Sequence, residues 1–223
     1  MMELKGNIFT DQTGKFPITS SKVNTYIMNM YIHDPNAILA EPMKSRSQHE
    51  IVRAQIKLHN LLTNRGFTPQ VQVLDSECPA ALKQYFVARG ITFQLVLPYM
   101  HRTNSAKRAI VTFKYHMITG LSSTNGSFSI HLWCRLIPLA ITTLNLLRAS
   151  RLHLHLYTDA VLNGAFDYNT THIAPPGTKV IVHETPSTCA TWAPHGVDEW
   201  YISNVPEYYV LLMPQYVCPR NTW

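Results

Sequence analysis

Two aspartates, Asp11 and Asp75, each stand at the end of a short apolar run of the β type. Carboxylate oxygens are ligands that Mg²⁺ and Mn²⁺ prefer in proteins. Two such cations held between carboxylates stabilise the attacking and leaving oxygens of an in-line phosphoryl displacement. Taken singly, each residue also suits an ordinary turn aspartate. The order of the surrounding elements therefore decides between a shared metal site and two unrelated turns.

Apolar alternation and turn residues predict the strands of this chain. Five of them lie in the first hundred residues, at Asn7 to Thr10, Tyr26 to Ile32, Ala37 to Met43, Val71 to Leu74 and Ile91 to Leu97. Turn chemistry at residues 33–36 joins the second strand to the third, so the first three strands form an antiparallel meander. Three further strands follow near the C-terminus, at Lys179 to Val182, Trp200 to Ile202 and Tyr208 to Met213.

Helical periodicity and capping residues predict the helices. Ser47 and Glu50 form a capping box that opens the first helix, and Gly66 ends it. The remaining helices are predicted at Pro79 to Arg89, at Ser105 to Thr119 between the N-cap Asn104 and Gly120, and at Ile130 to Arg148 with a kink at Pro138. This order predicts an α/β, RNase H-like fold, a mixed five-stranded sheet flanked by helices. In that fold the strands before Asp11 and Asp75 are neighbours.

Composition is that of a globular protein with a basic surface. Of 223 residues, 46% are hydrophobic and 14% are charged, which argues against disorder, and the net charge of +6 favours a polyanionic partner. The four cysteines are scattered without a C-x-x-C pair, which argues against a cysteine zinc cluster and favours reduced thiols in an intracellular protein. Because Arg135 and Pro138 interrupt the most apolar stretch, we expect no membrane span.

Several segments, taken in order, resemble the integrase core of copia-type LTR retrotransposons. These are TDQTGKFP at residues 10–17, SSK at 20–22, AILAEP at 37–42, LDSE at 74–77, HRTNSAKRAI at 101–110, TLNLLR at 143–148, GAFDYN at 164–169, APPGT at 174–178 and WAPHGVD at 192–198. The resemblance covers nearly the whole chain, and so many matches in the right order are more specific than any single motif.

The resemblance implies a fragment of a retrotransposon Pol polyprotein that joins element DNA ends to target DNA by metal-dependent strand transfer. Asp11 and Asp75 match the first two acids of the D,D,E triad, which binds Mg²⁺ or Mn²⁺. The implied partners are element and target DNA and further copies of the chain. The expected location is intracellular, and nuclear if the protein functions.

Position 107 is the departure that matters most. The resemblance places the third acid there, at the start of a helix, but the residue is Lys107. A helix N-terminus disfavours a lysine by roughly 0.3–1 kcal/mol. Two unit charges 4 Å apart interact by about 4 kcal/mol at an effective dielectric near 20. The change in charge beside the two acids is therefore a larger effect than the interaction of the lysine with the helix dipole. We therefore expect weakened metal binding and little or no activity. Glu77 is an alternative third acid, and an ion pair of Lys107 with Asp11 or Asp75 is another outcome.

Basic residues near the predicted site are candidates for DNA binding. They are Lys15, Arg102, Lys107, Arg108 and Lys114. In the fold that the resemblance implies, the helix with Lys107 lies beside the DNA, although a solvated helix face would show the same pattern. Tyr115, Phe128 and Trp133 occur at helical spacings that predict core packing. A non-catalytic DNA-binding or protein-interaction domain derived from an integrase is the alternative function.

The predicted domains are a remnant leader at residues 1–6, the integrase catalytic core at 7–150, a connector at 151–173 and a small SH3-like β module at 174–223. Only residues 1–6 precede the first strand, so we expect the family's zinc module to be absent. His153 and His155 alternate in the connector as two zinc ligands would, but no third ligand stands at the required spacing. We therefore expect no zinc.

Overall fold

A computed structural model of the chain describes residues 6–75, 78–96, 105–171, 173–183, 195–205 and 213–217. Within these ranges the strands are β1 (Asn7–Gln12), β2 (Tyr26–Ile32), β3 (Ala37–Met43), β4 (Val71–Leu74), β5 (Thr92–Leu95), β6 (Lys179–His183), β7 (Gly196–Val205) and β8 (Met213–Val217). The helices are α1 (Gln48–Asn64), α2 (Ala80–Ala88), α3 (Ser105–Ser122), α4 (Ile137–Leu146) and α5 (Thr158–Asn163), with a 3₁₀ helix at Ile130–Arg135.

The first five strands form one mixed sheet in the order β3-β2-β1-β4-β5. Strands β1, β2 and β3 are antiparallel neighbours, whereas β1, β4 and β5 run parallel. Helices flank both faces, with α1 on one side and α3 and α4 on the other. The structure therefore confirms the predicted RNase H-like arrangement, and it makes β1 and β4 neighbours as the prediction requires.

A buried polar network fastens β4 to β1 beneath α1. The Gln72 Nε2 group on β4 donates to Thr10 Oγ1 on β1 at 3.0 Å. On the helix side, His59 Nε2 lies 2.9 Å from Gln72 Oε1 and Gln55 Nε2 donates to the same oxygen at 3.1 Å. All four side chains are almost fully buried. Because buried polar groups are costly unless bonded, this network specifies how β1, β4 and α1 fit together.

Helix α1 begins as its sequence predicts, with one difference in the cap. The Ser47 hydroxyl accepts from the Glu50 backbone N–H, and the chain leaves the helix through Gly66 at φ +79°. The Glu50 carboxylate does not complete the box. It accepts instead from the Lys44 backbone N–H at 3.0 Å and from Arg53. These alternative partners draw the Glu50 carboxylate toward the end of β3.

Two helix predictions on the other face of the sheet are wrong. Gly120 does not end α3, which continues to Ser122. A Cβ at position 120 would lie 3.2 Å from Pro176 Cγ. The glycine therefore lets Pro176 approach the helix closely and does not end the helix. Pro138 does not kink one long helix. It lies in the first turn of α4, after the separate 3₁₀ helix, where its missing N–H leaves no bond unmade.

The core on the α3 side holds the loop that follows β1. Phe16 stacks on the buried Trp133 ring at 4.3 Å between centroids, and Trp133 Nε1 donates to the Ile18 carbonyl at 2.9 Å. Phe128 is also buried, as predicted, and its ring meets Trp200 of β7 edge-on at 5.8 Å. Tyr115 contradicts its prediction, because its side chain is 69% exposed on the outer side of α3.

The C-terminal strands β6, β7 and β8 form a separate antiparallel sheet. Trp200 and Ile202 of β7 are buried in the same core as residues of α3 and α4, so this sheet packs on the α3 and α4 side of the five-stranded sheet. The last strand begins at Met213, and residues 208–212 of its predicted range lie outside the described residues. The SH3-like assignment and the domain boundaries stay predictions.

The connector contains α5, which its sequence did not indicate. Among the described helices, none is long and apolar enough to cross a bilayer.

The buried His59 predicts that acid destabilises the fold. Burial, the main cause, lowers the His59 pKa below its ordinary value, and Arg89 acts in the same direction. The folded state then binds fewer protons than the unfolded state between the two pKa values. The stabilising contribution is therefore complete above about pH 6.5 and is lost as pH falls through the folded pKa, with a slope of at most about 1.4 kcal/mol per pH unit.

Urea unfolding at pH 7.5, 6.5 and 5.5 measures this dependence in wild type and in His59→Leu. We expect the variant to be less stable at pH 7.5 but to lose less free energy of unfolding on acidification. His153→Gln, a change at an exposed histidine, serves as the control and should follow wild type. Equal slopes in wild type and His59→Leu would contradict the prediction.

Candidate functional site

The register of β1 and β4 brings Asp11 and Asp75 to one edge of the sheet. Phe9 of β1 pairs with Val73 of β4, and continuing that parallel register by two residues puts Asp11 level with Asp75. Since side chains alternate along a strand, both acids lie on the face that carries Phe9, which packs against the core beneath α3 and α4. Strand β1 extends to Gln12, so Asp11 is its penultimate residue rather than the residue after it.

Lys107 lies in the first turn of α3 and faces this acid pair. Helix α3 packs across β1 and β2 through its buried residues Ala106, Ala109 and Phe113. This packing directs the Lys107 Nζ atom to 3.9 Å from Asp75 Oδ2. About a third of each side chain is exposed, at 39% for Lys107 and 31% for Asp75. The ion pair itself therefore contributes only about 0–1 kcal/mol to stability.

Asp11 is the more enclosed of the two carboxylates. Burial raises the pKa of the Asp11 carboxyl above its ordinary value, and the negative charge of Asp75 acts in the same direction. Three groups oppose this rise, in the order of the Gln12 backbone N–H, which donates to Asp11 Oδ1 at 2.7 Å, then Lys107, then Arg46. Lys107 thus acts on both acids, and it offsets part of the repulsion between the two carboxylates.

Sequence reasoning missed two residues beside Asp11. Arg46 follows β3, and its guanidinium donates to the Thr13 carbonyl at 2.8 Å and lies 5.1 Å from the centre of the Tyr26 ring. Asn29 pairs directly with Asp11 in the β1–β2 ladder and is fully buried, without a hydrogen-bond partner for its amide among the described residues. Asn29 is the lone polar residue in an apolar run, a signal that was available. Nothing in the sequence singled out Arg46.

The described basic residues that are candidates for DNA binding lie in two places. Arg108 and Lys114 are exposed on the same outer side of α3 as Lys107, whereas Lys15 is exposed on the loop after β1. Arg102, the predicted cap Asn104 and the alternative acid Glu77 lie outside the described residues. Neither the zinc candidate His153 nor His155 belongs to a described cluster of three potential metal ligands. DNA binding by the basic residues stays a prediction.

Solved structures share this architecture. A chain of the simian T-cell lymphotropic virus intasome, solved in complex with PP2A regulatory subunit B56 gamma, matches with a TM-score of 0.57 and 10% identity, over 97% of this chain and 77% of that chain. The chain has an integrase-like fold. The catalytic core domain of BIV integrase matches with a TM-score of 0.49 and 14% identity, over 66% of this chain and 87% of that chain. No family model and no curated protein matches the chain.

The described side chains of this integrase-like fold do not fit a centre for two divalent cations. Asp11 and Asp75 offer carboxylate oxygens, but the third side chain at the site is an ammonium group 3.9 Å from Asp75. Among the described residues, no group of three or more His, Cys, Asp or Glu side chains is placed to hold a metal. A cation between the acids would meet repulsion from Lys107 of roughly 4 kcal/mol per unit charge at 4 Å, less whatever the lysine relieves by swinging outward.

We expect Lys107→Glu to restore cation binding. The substitution removes the opposing charge and adds a carboxylate, so the affinity for Mn²⁺ or Mg²⁺ should rise at least about tenfold over wild type, a change of about 1.4 kcal/mol or more. Calorimetric titration at pH 7.5 measures it.

Asp75→Asn in the Lys107→Glu background should abolish the gain. Lys114→Glu makes the same change in net charge two turns further along α3 and should bind cations no better than wild type. If wild type already binds as tightly as Lys107→Glu, the proposed effect of Lys107 on the site is wrong.

Proposed function

We propose that this chain is the core of a copia-type retrotransposon integrase in which metal-dependent strand transfer is lost or nearly lost. The observation that carries the proposal is the 3.9 Å contact of Lys107 Nζ with Asp75 Oδ2, at the helix start where the resemblance places the third acid. The integrase-like fold and the level positions of Asp11 and Asp75 support the ancestry. The lysine argues against the activity.

The residues at the site support a replacement of metal ions by positively charged side chains. In the ancestral arrangement two cations would neutralise the carboxylates. Here the Lys107 ammonium and the Arg46 guanidinium both act electrostatically on Asp11, and Lys107 also pairs with Asp75. An acid pair of this kind keeps its local fold without a metal, because protein cations reduce the repulsion between the carboxylates. Neither the Lys107 ammonium nor the Arg46 guanidinium offers a metal ligand or activates a nucleophile.

A strand-transfer assay with oligonucleotides in Mn²⁺ or Mg²⁺ tests this proposal. We expect wild type to remain at background and Lys107→Glu to give at least about tenfold more joined product, since about 1.4 kcal/mol of transition-state stabilisation corresponds to a tenfold change in rate. Lys107→Gln removes the positive charge without adding a carboxylate, so it separates the effect of removing the ammonium group from the effect of adding a negatively charged ligand. Robust strand transfer by wild type would overturn the proposal.

DNA binding without catalysis is the second candidate function, and the charge of α3 favours it. The helix carries Lys107, Arg108 and Lys114 on its outer side and has no Asp or Glu in its sequence. Contacts from such cations to phosphates need neither a metal nor a base-specific geometry. We infer that the partner is element or target DNA. Self-assembly is implied by the resemblance and remains a proposal.

We expect wild type to bind duplex DNA in the presence of EDTA, with an affinity that falls as salt rises. Lys114→Ala should weaken binding to unrelated sequences about equally and should reduce the slope of log K against log salt by about one. Fluorescence anisotropy across a salt series measures both quantities. Lys83→Ala, on α2 at the other face of the sheet, is the matched control. Binding that requires Mg²⁺ would count against this candidate.

A further inference from the structure

The outer side of α3 combines apolar and basic side chains in one continuous face. Helical geometry places six residues within about a third of a turn around the axis. We call them the α3 outer face, and they are Lys107, Arg108, Val111, Lys114, Tyr115 and Ile118. The opposite side of the helix supplies the buried residues that pack on the sheet. Packing of α3 on its core therefore uses the opposite side, and within the described part of the chain every residue of the outer face except Lys107 is exposed.

Exposed apolar side chains form a line along this face. Val111 is 50% exposed, Tyr115 is 69% exposed and Ile118 is 52% exposed, at the spacing i, i+4 and i+7 that aligns residues on one side of a helix. Single exposed apolar residues are ordinary, but an aligned group bordered by charged residues is typical of a binding surface. The cations at its borders are Arg108 and Lys114, and no acid lies on the helix. The complementary partner is therefore anionic.

The aromatic ring narrows the choice of anionic partner. A DNA duplex offers phosphates to Arg108 and Lys114, but its base faces are stacked inside the helix, out of reach of a side chain on an α-helix surface. An unpaired strand offers both phosphates and free base faces, and a combination of cations with aromatic side chains is what binds such strands without sequence preference. Tyr115, next to Lys114 in the chain, supplies the ring.

The α3 outer face begins at the acid pair and extends away from it along the helix. Lys107, in the first turn of α3, contacts Asp75, and Tyr115 lies about 12 Å further along the helix axis at 1.5 Å per residue. We propose that the α3 outer face binds an unpaired DNA strand, with Tyr115 stacked on a base and with Arg108 and Lys114 on the flanking phosphates. The inference rests on the proposed function, because it assigns the form of DNA that an integrase-derived core holds beside its acid pair.

Anisotropy with a labelled single-stranded oligonucleotide and with a duplex of the same length tests the assignment in the full chain. We expect Tyr115→Ala to weaken single-strand binding about fivefold or more, as loss of one stacked base predicts, and to change duplex binding less than about twofold. Tyr115→Phe retains the ring and should bind the single strand like wild type. Tyr168→Ala removes another exposed tyrosine, 62% exposed, as the control and should have no effect.

Other outcomes would overturn the inference. Equal loss for single strand and duplex would make Tyr115 a general contact, and an unchanged single-strand affinity would exclude stacking. A Tyr115→Ala variant that changes the mass of the protein in solution, but not its DNA affinity, would identify the face as a protein interface. A tenfold preference for RNA of the same sequence would overturn the assignment to DNA. If wild type binds neither form of DNA at low salt, the proposed DNA-binding function itself fails. If wild type binds duplex DNA and Tyr115→Ala binds both forms of DNA as wild type does, the stacking inference alone is refuted.

Discussion

The parallel pairing of β1 with β4 is the constraint on which the rest of the structure depends. It joins the antiparallel meander to the parallel half of the sheet, and it places Asp11 level with Asp75. Parallel pairing needs a long crossover connection, and α1 provides it. The Gln72 amide of β4 donates to Thr10 of β1, one residue before Asp11, and this bond fixes the two strands to each other. A slip of one residue would turn one carboxylate to the opposite face of the sheet. The buried polar network beneath α1 therefore determines the geometry of the acid pair on the other face.

Lys107 contributes little to the stability of the fold. The free energy of its exposed ion pair with Asp75 is about 0–1 kcal/mol, small against the 5–15 kcal/mol of a typical domain. Stability therefore places little pressure on this position, because α3 is held by its buried side. Lys107 does, however, place a positive charge beside the carboxylates of Asp75 and Asp11. The fold thus depends on the buried residues of α3, whereas the charge at the acid pair depends on a partly exposed residue of the same helix.

The motifs that resemble the retrotransposon family serve two physical roles. Asp11 belongs to the acid pair, whereas Phe16 of the same segment stacks on Trp133 and anchors the loop that follows β1. Near the C-terminus, Gly177 lies where a Cβ would meet Thr124 at 2.7 Å, so the APPGT segment allows the chain to pass close to the end of α3. Much of the resemblance therefore reflects packing rather than the acid pair.

The sequence by itself determined the order of the five strands of the main sheet, the meander turn and the identities of Asp11, Asp75 and Lys107, because period, turn chemistry and residue identity are local properties. Only the tertiary structure decided the contacts made at a distance. Arg46 reaches the site because β3 ends beside the loop after Asp11, and Tyr115 is exposed because Ala106, Ala109 and Phe113 form the packed side of α3. Gly120 lies within a helix where Pro176, distant in sequence, approaches it closely, and Pro138 lies in the first turn of α4, where its missing N–H costs no hydrogen bond. Residue type alone predicts neither outcome, because both residues also commonly interrupt helices.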